Sequence, residues 1–317
     1  MPAAAAAPFD VTILICTYNR ADSLEAMLAS LAALVIPPGL AVELVVVDNN
    51  STDRTRAVCE AARTPVPLRY VFEAQQGQNP ALNRGLAETS GGLILFTDDD
   101  VDVDAGWLAA YCAAAARWPE AAYFGGRTLP RWEVAPPRWF AKHSTTHLAC
   151  IEVYCDAGLE EKPLPAGVAG ANMAIRRAAL HGLAFDPALG PDGTETVRCG
   201  EVELIGQIRQ RGGIGVHVPG ALIHHRTPAR RMTEAYVRQW FKGDGIAEVR
   251  RQQVVRTHPW FGVSRYYWRQ WARSALKYGC TRWLGPASVW LPAEIDMARA
   301  WGVIAESRRQ AAARRAS

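Results

Sequence analysis

The chain has 317 residues, of which 49% are hydrophobic and 21% are charged, and its net charge is +4. This is the composition of an ordinary globular protein, and the charge is too small to indicate nucleic-acid binding by itself. No apolar run reaches about eighteen residues, the length of a membrane-spanning helix. Seven cysteines without a Cys-x-x-Cys pair exclude a disulfide framework and indicate reduced thiols in a cytoplasmic protein. We interpret residues 1–8 as a disordered leader, because the alanine run lacks the basic residues of a signal peptide.

Apolar runs and helical patterns alternate along the first part of the chain. Five runs predict strands, at 11–16, 42–47, 68–72, 93–97 and 121–125. Between them, apolar residues at helical spacing predict helices, the last of them over 107–118. This βαβ spacing predicts an α/β fold with a mainly parallel, Rossmann-like sheet and helices on both faces. No Gly-x-Gly-x-x-Gly follows the first strand, which argues against a dinucleotide-binding protein.

Three consecutive carboxylates, Asp98, Asp99 and Asp100, follow the fourth strand. Adjacent like charges raise one another's pKa, and a divalent cation such as Mg²⁺ or Mn²⁺ relieves this repulsion while also binding substrate phosphates. In an open α/β sheet, ligands bind just outside the carboxyl ends of the strands, where these residues fall. The pattern therefore predicts a metal site. The alternative is a solvated turn that caps the following helix.

Polar residues also follow the first two strands: Thr17 and Asn19 after the first, and Asp48 after the second. Because the carboxyl ends of parallel strands meet at one edge, we expect a row of polar groups there. Asp48 would accept a hydrogen bond from a base or ribose, while a metal at the aspartates would hold the phosphates. The alternative for Asp48 is a helix-capping or Asx-turn role.

Four segments resemble an inverting family 2 glycosyltransferase of GT-A fold, over roughly residues 9–245. They are Thr-Ile-Leu-Ile-Cys-Thr-Tyr-Asn-Arg at 12–20, Val-Val-Val-Asp-Asn-Asn-Ser-Thr-Asp at 45–53, Asn-Arg-Gly at 83–85 and Phe-Thr-Asp-Asp-Asp at 96–100. The resemblance implies that Asp48 contacts the base or ribose and that the aspartates bind a metal and the sugar diphosphate, with Asp100 as the preferred ligand. In one departure, Ala-Leu-Asn at 81–83 replaces the family's frequent Ala-Arg-Asn.

Further site residues lie between 168 and 231. The segment 168–176 resembles the family's small-residue floor, in which Asn172 would bind the donor sugar; the alternative is a buried turn asparagine. The segment 199–204 begins a helix ending at 210 and resembles the family's Glu-Asp-x-Glu-Leu, which implies that Glu201 is the catalytic base. The alternative is that Glu201 and Glu203 are exposed helix carboxylates, which fits Glu203 more readily than Glu201. Short strands at 216–218 and 221–223 lead to His225, a metal ligand in the resemblance and otherwise a packed loop histidine. Arg230 and Arg231 would offer positive charge to a pyrophosphate.

The periodicity fails from 128 to 168, and we interpret this long segment as an acceptor-side lid. A zinc set within it would comprise His143, His147, Cys150 and Cys155, but their spacing matches no familiar zinc finger. The predicted nucleotide-sugar-binding residues are Thr17, Tyr18, Asn19, Arg20, Asp48, Asn83, Asp98, Asp99, Asn172 and Arg231. The predicted metal ligands are Asp100, Asp98 and His225.

The last part of the chain is helical in pattern, and from residue 256 it combines six tryptophans with lysines and arginines. We interpret it first as a helical bundle packing on the catalytic part or as a homo-oligomer interface, with peripheral contact to an anionic membrane as the alternative. No signature of a nucleic-acid-binding module is present.

We therefore expect four parts: a leader (1–8), a nucleotide-sugar-binding half (9–127), an acceptor-binding half (128–230) and a C-terminal helical extension (231–317). The hypothesis is a metal-dependent inverting glycosyltransferase that moves a sugar from a UDP-linked donor to a hydroxyl of a glycan or lipid-linked acceptor, in the cytoplasm or on the inner face of the membrane. One alternative is a sugar nucleotidyltransferase, although the chain lacks a Gly-rich basic loop after its first strand. Another is a non-catalytic sugar-nucleotide-binding module, suggested by Gly200 in place of the first acid.

Overall fold

The computed structural model describes residues 9–137, 139, 159–164, 168–191, 197, 200–255, 257 and 259–316. The expected leader, the zinc set and most of the lid segment lie outside these residues. The described residues belong to two compact units. The first is drawn from 1–131, 151–187 and 200–226, and the second from 132–150, 188–199 and 227–317. The four-part division expected from the sequence stays a prediction.

The first unit is built on a sheet in which nine strands are described, in the order β3-β2-β1-β4-β8-β6-β9-β5 with β7 beside β9. Strands β1 to β4 are parallel, whereas β8 runs antiparallel to β4 and β6, and β5 and β7 run antiparallel to β9. The strands are β1 (Val11–Thr17), β2 (Val42–Asp48), β3 (Leu68–Phe72), β4 (Leu93–Asp98), β5 (Val101–Val103), β6 (Ala121–Trp132), β7 (Lys162–Pro163), β8 (Asn172–Arg176) and β9 (Ile214–Thr227). The helices are α1 (Ala21–Ser30), α2 (Thr55–Ala61), α3 (Gln78–Glu88), α4 (Trp107–Arg117), α5 (Arg177–Leu180) and α6 (Gly200–Gln210).

Both faces of the sheet are buried, because side chains of a strand point alternately to its two sides. In β1, Ile13 and Ile15 belong to the apolar cluster that includes residues of α1 and α4. Leu14, between them, belongs to the opposite cluster, which includes residues of α3 and α6. Continuous apolar strands are what a doubly covered sheet requires. The predicted α/β sheet with helices on both faces is confirmed.

Two predicted boundaries are wrong. Strand β6 continues to Trp132, so regular structure does not fail at 128. The two short strands expected at 216–218 and 221–223 are one strand, β9. Pro219, inside β9, donates no backbone hydrogen bond to the sheet. It lies between the stretch of β9 that pairs with β7 and the stretch that pairs with β5, where the strand changes partner.

The second unit is helical, as predicted, with α7 (Glu234–Arg250), α8 (Arg265–Thr281) and α9 (Ala287–Ala316). A short hairpin of β10 (Pro259–Trp260) and β11 (Val263–Ser264) precedes α8. Helices α7 and α9 approach closely, since a Cβ added at Gly245 would overlap the carbonyl oxygen of Arg299, and one at Gly302 would overlap that of Lys242. Among the described residues, no helix has the length and apolar character needed to cross a bilayer.

Candidate active site

The carboxyl ends of three strands meet at one edge of the sheet. Thr17, which ends β1, lies in register with Asp48, which ends β2. On the other side of β1, Cys16 lies in register with Asp98, which ends β4. The row of polar groups expected at this edge is therefore present. Burial raises the pKa of the Cys16 thiol, and the neighbouring Asp98 and Asp99 raise it further, so the thiol stays protonated there.

Asp99 joins the first loop to the acidic turn. Its carboxylate accepts hydrogen bonds from Thr17 Oγ1 at 2.8 Å and from Arg20 Nη1 at 2.9 Å. The same nitrogen of Arg20 lies 3.2 Å from Asp100 Oδ2. Burial raises the pKa of Asp99 although Arg20 opposes the shift, and Asp99 in turn is the main cause of the raised pKa of Arg20. The guanidinium therefore places a fixed positive charge beside the acidic turn.

Asp98, Asp100 and His225 come together as a cluster. Each offers one ligand atom, and the three atoms lie within 4.8 Å of one another. His225 reaches the turn because β9 pairs antiparallel with β5, opposite Val101. Its Nε2 lies 3.2 Å from Asp100 Oδ1, and its Nδ1 lies 3.2 Å from the carbonyl oxygen of Arg226.

This donor set fits a divalent cation. A carbonyl oxygen only accepts hydrogen bonds, so the contact to Arg226 places the proton of a neutral ring on Nδ1. Nε2 and the carboxylate of Asp100 then both present lone pairs to the same space, which a cation satisfies. Two carboxylates and an imidazole suit Mn²⁺ better than Mg²⁺, which favours oxygen ligands alone.

Arg226 holds this cluster in place, a role the sequence did not reveal although the residue follows His225 directly. Its guanidinium donates to Asp102 Oδ1 at 3.0 Å and to the carbonyl oxygens of Ser23 and Val101, each at 3.0 Å. Burial alone would raise the pKa of Asp102, but hydrogen bonds from Arg226 and from a second arginine lower it. Strand β9, helix α1 and strand β5 are thus tied together beside the candidate metal ligands.

The loops after β1 and β2 support each other. Asn19, at φ +50°, donates its backbone N–H to Ser51 Oγ at 2.9 Å and accepts from the Thr52 N–H at 2.8 Å. Asp48 accepts from the Ser51 N–H at 2.9 Å and from the Tyr70 hydroxyl at 2.7 Å. Asp48 therefore has partners in its own loop and in β3, and each carboxylate oxygen keeps a further lone pair. Tyr18, in the same region, is 40% exposed.

Asn49 is a second organising residue that the sequence did not single out. Its buried amide donates to the carbonyl oxygen of Gln75 at 2.7 Å and accepts from the N–H of Gly77 at 2.7 Å. Gly77 lies at φ +133°, in a conformation that favours glycine, immediately before α3. The end of β2 therefore fixes the loop leading into α3. The only sign of this role in the sequence is that Asn49 directly follows the strand-ending Asp48.

Two asparagines assigned to the nucleotide sugar are used by the protein itself. The amide of Asn83 exchanges two hydrogen bonds, each 2.8 Å, with the backbone of Phe185. Asn172 is fully buried and accepts from the Trp107 indole N–H and the Tyr111 hydroxyl, each at 2.8 Å. Its NH₂ group donates to two backbone carbonyl oxygens, each at 2.9 Å. Asn172 is therefore buried, as the alternative expected, but it begins β8 instead of lying in a turn.

The candidate base lies in the first turn of α6. A Cβ added at Gly170 would lie 3.5 Å from Cγ and Cδ of Glu201, an ordinary van der Waals distance, so the carboxylate arm lies directly beside this residue. At Gly200, the position of the missing acid, a Cβ would overlap the amide of Asn79. Asn79 donates to the carbonyl oxygen of Asp186 at 2.6 Å, so the departure at 200 has a packing reason. Arg231, also assigned to the nucleotide sugar, is buried in a short turn of the second unit.

The comparison with known families decides the class of protein. Residues 12–182, just over half of the chain, match the model described as glycosyl transferase family 2. The protein belongs to this family. The nucleotidyltransferase alternative is thereby excluded, and the chain is a glycosyltransferase.

Relatives of this glycosyltransferase are found among both sequences and structures. It is 27% identical to the succinoglycan biosynthesis protein ExoM of Rhizobium meliloti over 243 residues, 72% of this chain and 70% of that protein. Glucosyl-3-phosphoglycerate synthase of Mycobacterium tuberculosis is 34% identical over 102 residues, only 31% of either protein.

Solved structures confirm the predicted GT-A fold. The mannosyltransferase PcManGT of Pyrobaculum calidifontis, solved with GDP-Man and Mn²⁺, superposes with a TM-score of 0.54 at 20% identity, covering 99% of this chain and 78% of its own. The M. tuberculosis synthase, solved with Mn²⁺, UDP and glucosyl-3-phosphoglycerate, gives 0.51 at 21% identity, covering 80% and 82%. At these identities the likeness establishes the fold.

Proposed function

We propose that this glycosyltransferase is a divalent-cation-dependent inverting enzyme that transfers a sugar from a UDP-linked donor to a hydroxyl of a glycan or lipid-linked acceptor. The observation that carries the proposal is the cluster of Asp98, Asp100 and His225 beside Arg20, at the edge where the carboxyl ends of the strands meet. Relatives support it, since one is named for succinoglycan biosynthesis and another was solved with Mn²⁺ and UDP.

The donor diphosphate would lie against the acidic turn. Asp98, Asp100 and His225 would hold the cation, and Arg20 would supply a second positive charge. When bound, the cation stabilises the negative charge that grows on the departing diphosphate. Arg20 is already held beside the acidic turn by Asp99 and Asp100, so its side chain needs no rearrangement to act on the diphosphate.

The nucleoside would occupy the loops after β1 and β2. Asp48 would accept from the base or ribose with the lone pairs left by Ser51 and Tyr70, and exposed Tyr18 would pack on the base. The contacts of Asn83 and Asn172 support a structural role for both residues instead of contact with the sugar. Arg231 remains a proposed phosphate ligand.

Glu201 would act as the general base. In inverting transfer the acceptor oxygen attacks the anomeric carbon opposite the diphosphate, a new C–O bond forms, and the bond to the diphosphate breaks with its electron pair. The acceptor's proton passes to the carboxylate of Glu201. Its arm is one methylene longer than the aspartate usual in the family, and it lies beside Gly170.

Thermal unfolding with a panel of UDP-, GDP- and dTDP-sugars, with and without Mn²⁺, tests the donor and the cation. A ligand at about a hundred times its Kd stabilises by about 2.7 kcal/mol, so the true donor stands out. We expect a Mn²⁺-dependent shift with a UDP-sugar that Asp100→Asn loses. The matched variant Asp22→Asn, in an exposed position on α1, keeps it. A shift that does not depend on Mn²⁺ would contradict the proposed cation dependence. A larger shift with a GDP-sugar than with any UDP-sugar would mean that the donor is GDP-linked.

Slow donor hydrolysis tests catalysis separately. Wild-type protein should release UDP from its donor, and Glu201→Gln should bind the donor equally while losing this release. Undiminished release from the variant would place the base elsewhere. No release from the wild type, with binding intact, would favour the non-catalytic module. The anomeric configuration of the first product, followed by NMR, tests inversion.

A further inference from the structure

Positive charge is concentrated in one stretch of the second unit. From Val249 to Ala293 the chain has no aspartate or glutamate and has eight lysines or arginines. The rest of the chain therefore carries a net charge of −4, although the whole carries +4. A mild overall charge thus conceals a strongly basic segment, which covers the β10–β11 hairpin and all of α8.

Helix α8 presents much of this charge on one exposed face. Arg265, Arg269, Arg273 and Lys277 follow one another at intervals of four residues, which places them in a row along the helix. All four are exposed, and none of them forms an ion pair with any described residue. Like charges at this spacing repel one another, so the row stores repulsion that an anionic ligand relieves.

The arginines also line a groove. Its volume is about 490 Å³, and its walls are Arg265, Arg269 and Arg273 with Thr257, Tyr266, Gln270 and Ser274. Every side chain in that set offers a hydrogen-bond donor, and none carries negative charge. Several phosphate oxygens can be bound by such a wall, because guanidinium groups pair with them in bidentate geometry.

Large apolar side chains surround the basic face. At the hairpin tip Trp260 is 52% exposed and Phe261 is 70% exposed, and on α8 Leu276 is 71% exposed. The hairpin is tied to the helix, since the indole N–H of Trp268 donates to the carbonyl oxygen of Trp260 at 3.1 Å. Exposed aromatic and aliphatic side chains beside arginines are typical of surfaces that lie in the headgroup layer of a membrane.

We propose that the exposed face of α8 and the β10–β11 hairpin, together the α8 surface, dock this glycosyltransferase on an anionic lipid membrane. The basic row would bind lipid phosphates while Trp260, Phe261 and Leu276 enter the headgroup layer. A nucleic acid bound to this surface would leave the aliphatic side chain of Leu276 exposed to water. A second copy would oppose like charges, because a two-fold contact places the same surface on both partners. Charge therefore argues against a second copy, and the exposed Leu276 favours a lipid over a nucleic acid.

Vesicle flotation with the full chain tests the proposal. The vesicles are phosphatidylcholine alone or phosphatidylcholine mixed with phosphatidylglycerol. We expect binding to the mixed vesicles alone, weakened by added salt because exposed charges are screened. One basic residue near an anionic surface contributes about fivefold to binding, so the double variant Arg269→Gln, Arg273→Gln should bind about 25-fold more weakly.

A matched control separates local charge from net charge. The double variant Arg56→Gln, Arg63→Gln removes the same charge from exposed positions of the first unit and should bind like the wild type. Phe261→Asn tests the apolar part, because asparagine tolerates the φ of +52° there; we expect several-fold weaker binding with unchanged Tm. Any one of three results would overturn the proposal. They are equal binding to both vesicle types, equal losses of binding in the two double variants, and tighter binding to a labelled oligonucleotide than to the mixed vesicles.

Discussion

Replacing Asn172 by alanine distinguishes a structural asparagine from a sugar ligand. The change removes the hydrogen bond from Trp107 and those to the carbonyl oxygens of Arg127 and Ala221, while Tyr111 can still donate to the backbone oxygen of residue 172. Three lost bonds at about 1 kcal/mol each give about 3 kcal/mol. Because the site is fully buried, the indole N–H and the two carbonyl oxygens would be left without partners, which raises the loss of unfolding free energy to about 6 kcal/mol.

Thermal unfolding followed by circular dichroism measures this loss. In a unit of this size each kcal/mol corresponds to about 2–4 °C, so we expect the Tm of Asn172→Ala to fall by at least about 6 °C. Gln75→Ala, at an exposed amide in the same unit, should stay within about 0.5 kcal/mol of the wild type. Donor affinity is measured well below both transitions. An unchanged Tm together with weaker donor binding would refute the structural role and return Asn172 to the sugar site.

Three further outcomes are expected. Gly245→Ala should destabilise the second unit by about 1–3 kcal/mol, because the added Cβ overlaps the carbonyl oxygen of Arg299. Gly279→Ala, where the added Cβ meets open space on α8, should stabilise the unit by up to about 1 kcal/mol. Urea midpoints compare the two variants, and equal midpoints would contradict the close contact between α7 and α9. Burial favours the neutral form of Glu306, but its two paired arginines lower its pKa overall. The ionised Glu306 therefore stabilises the fold at pH values above its unfolded-state pKa of about 4.3, and this stabilisation is lost as the pH falls. Glu306→Gln should then be less stable than the wild type at neutral pH and equally stable in acid. A difference in stability that persists in acid would count against the ion pairs. Asn83→Ala should lose about 1–2 kcal/mol through its two backbone bonds with no change in donor affinity, and a raised donor Kd would assign it to the site.

The sequence predicted the first half of the sheet well, because each buried strand is a continuous apolar run. Strands β1 to β4 begin where expected and end at or within one residue of the expected position. The site edge followed from the same logic, since strand ends of a parallel sheet are read directly from the chain. Thr17, Asp48 and Asp98 lie in the register this requires.

The rest depends on contacts between distant parts of the chain. His225 meets Asp100 only through the antiparallel pairing of β9 with β5, which periodicity does not specify. Within the acidic triplet, the turn directs Asp99 to Arg20 and leaves Asp98 and Asp100, the two predicted metal ligands, to the candidate metal cluster. The contacts of Asn172 are likewise hidden in the sequence, because nothing local reveals the indole and hydroxyl that surround it.

The anchoring of Arg226 has a consequence for how the enzyme would handle its ion. This guanidinium is fastened to a helix and a strand by bonds that involve no metal, and it lies next to His225 in the chain. The histidine is consequently already in position before any ion arrives, unlike the ligands of zinc fingers, which order only on binding. A chelator should then strip the ion and stop turnover while leaving the sheet intact, and returning manganese should restore the enzyme without a refolding step.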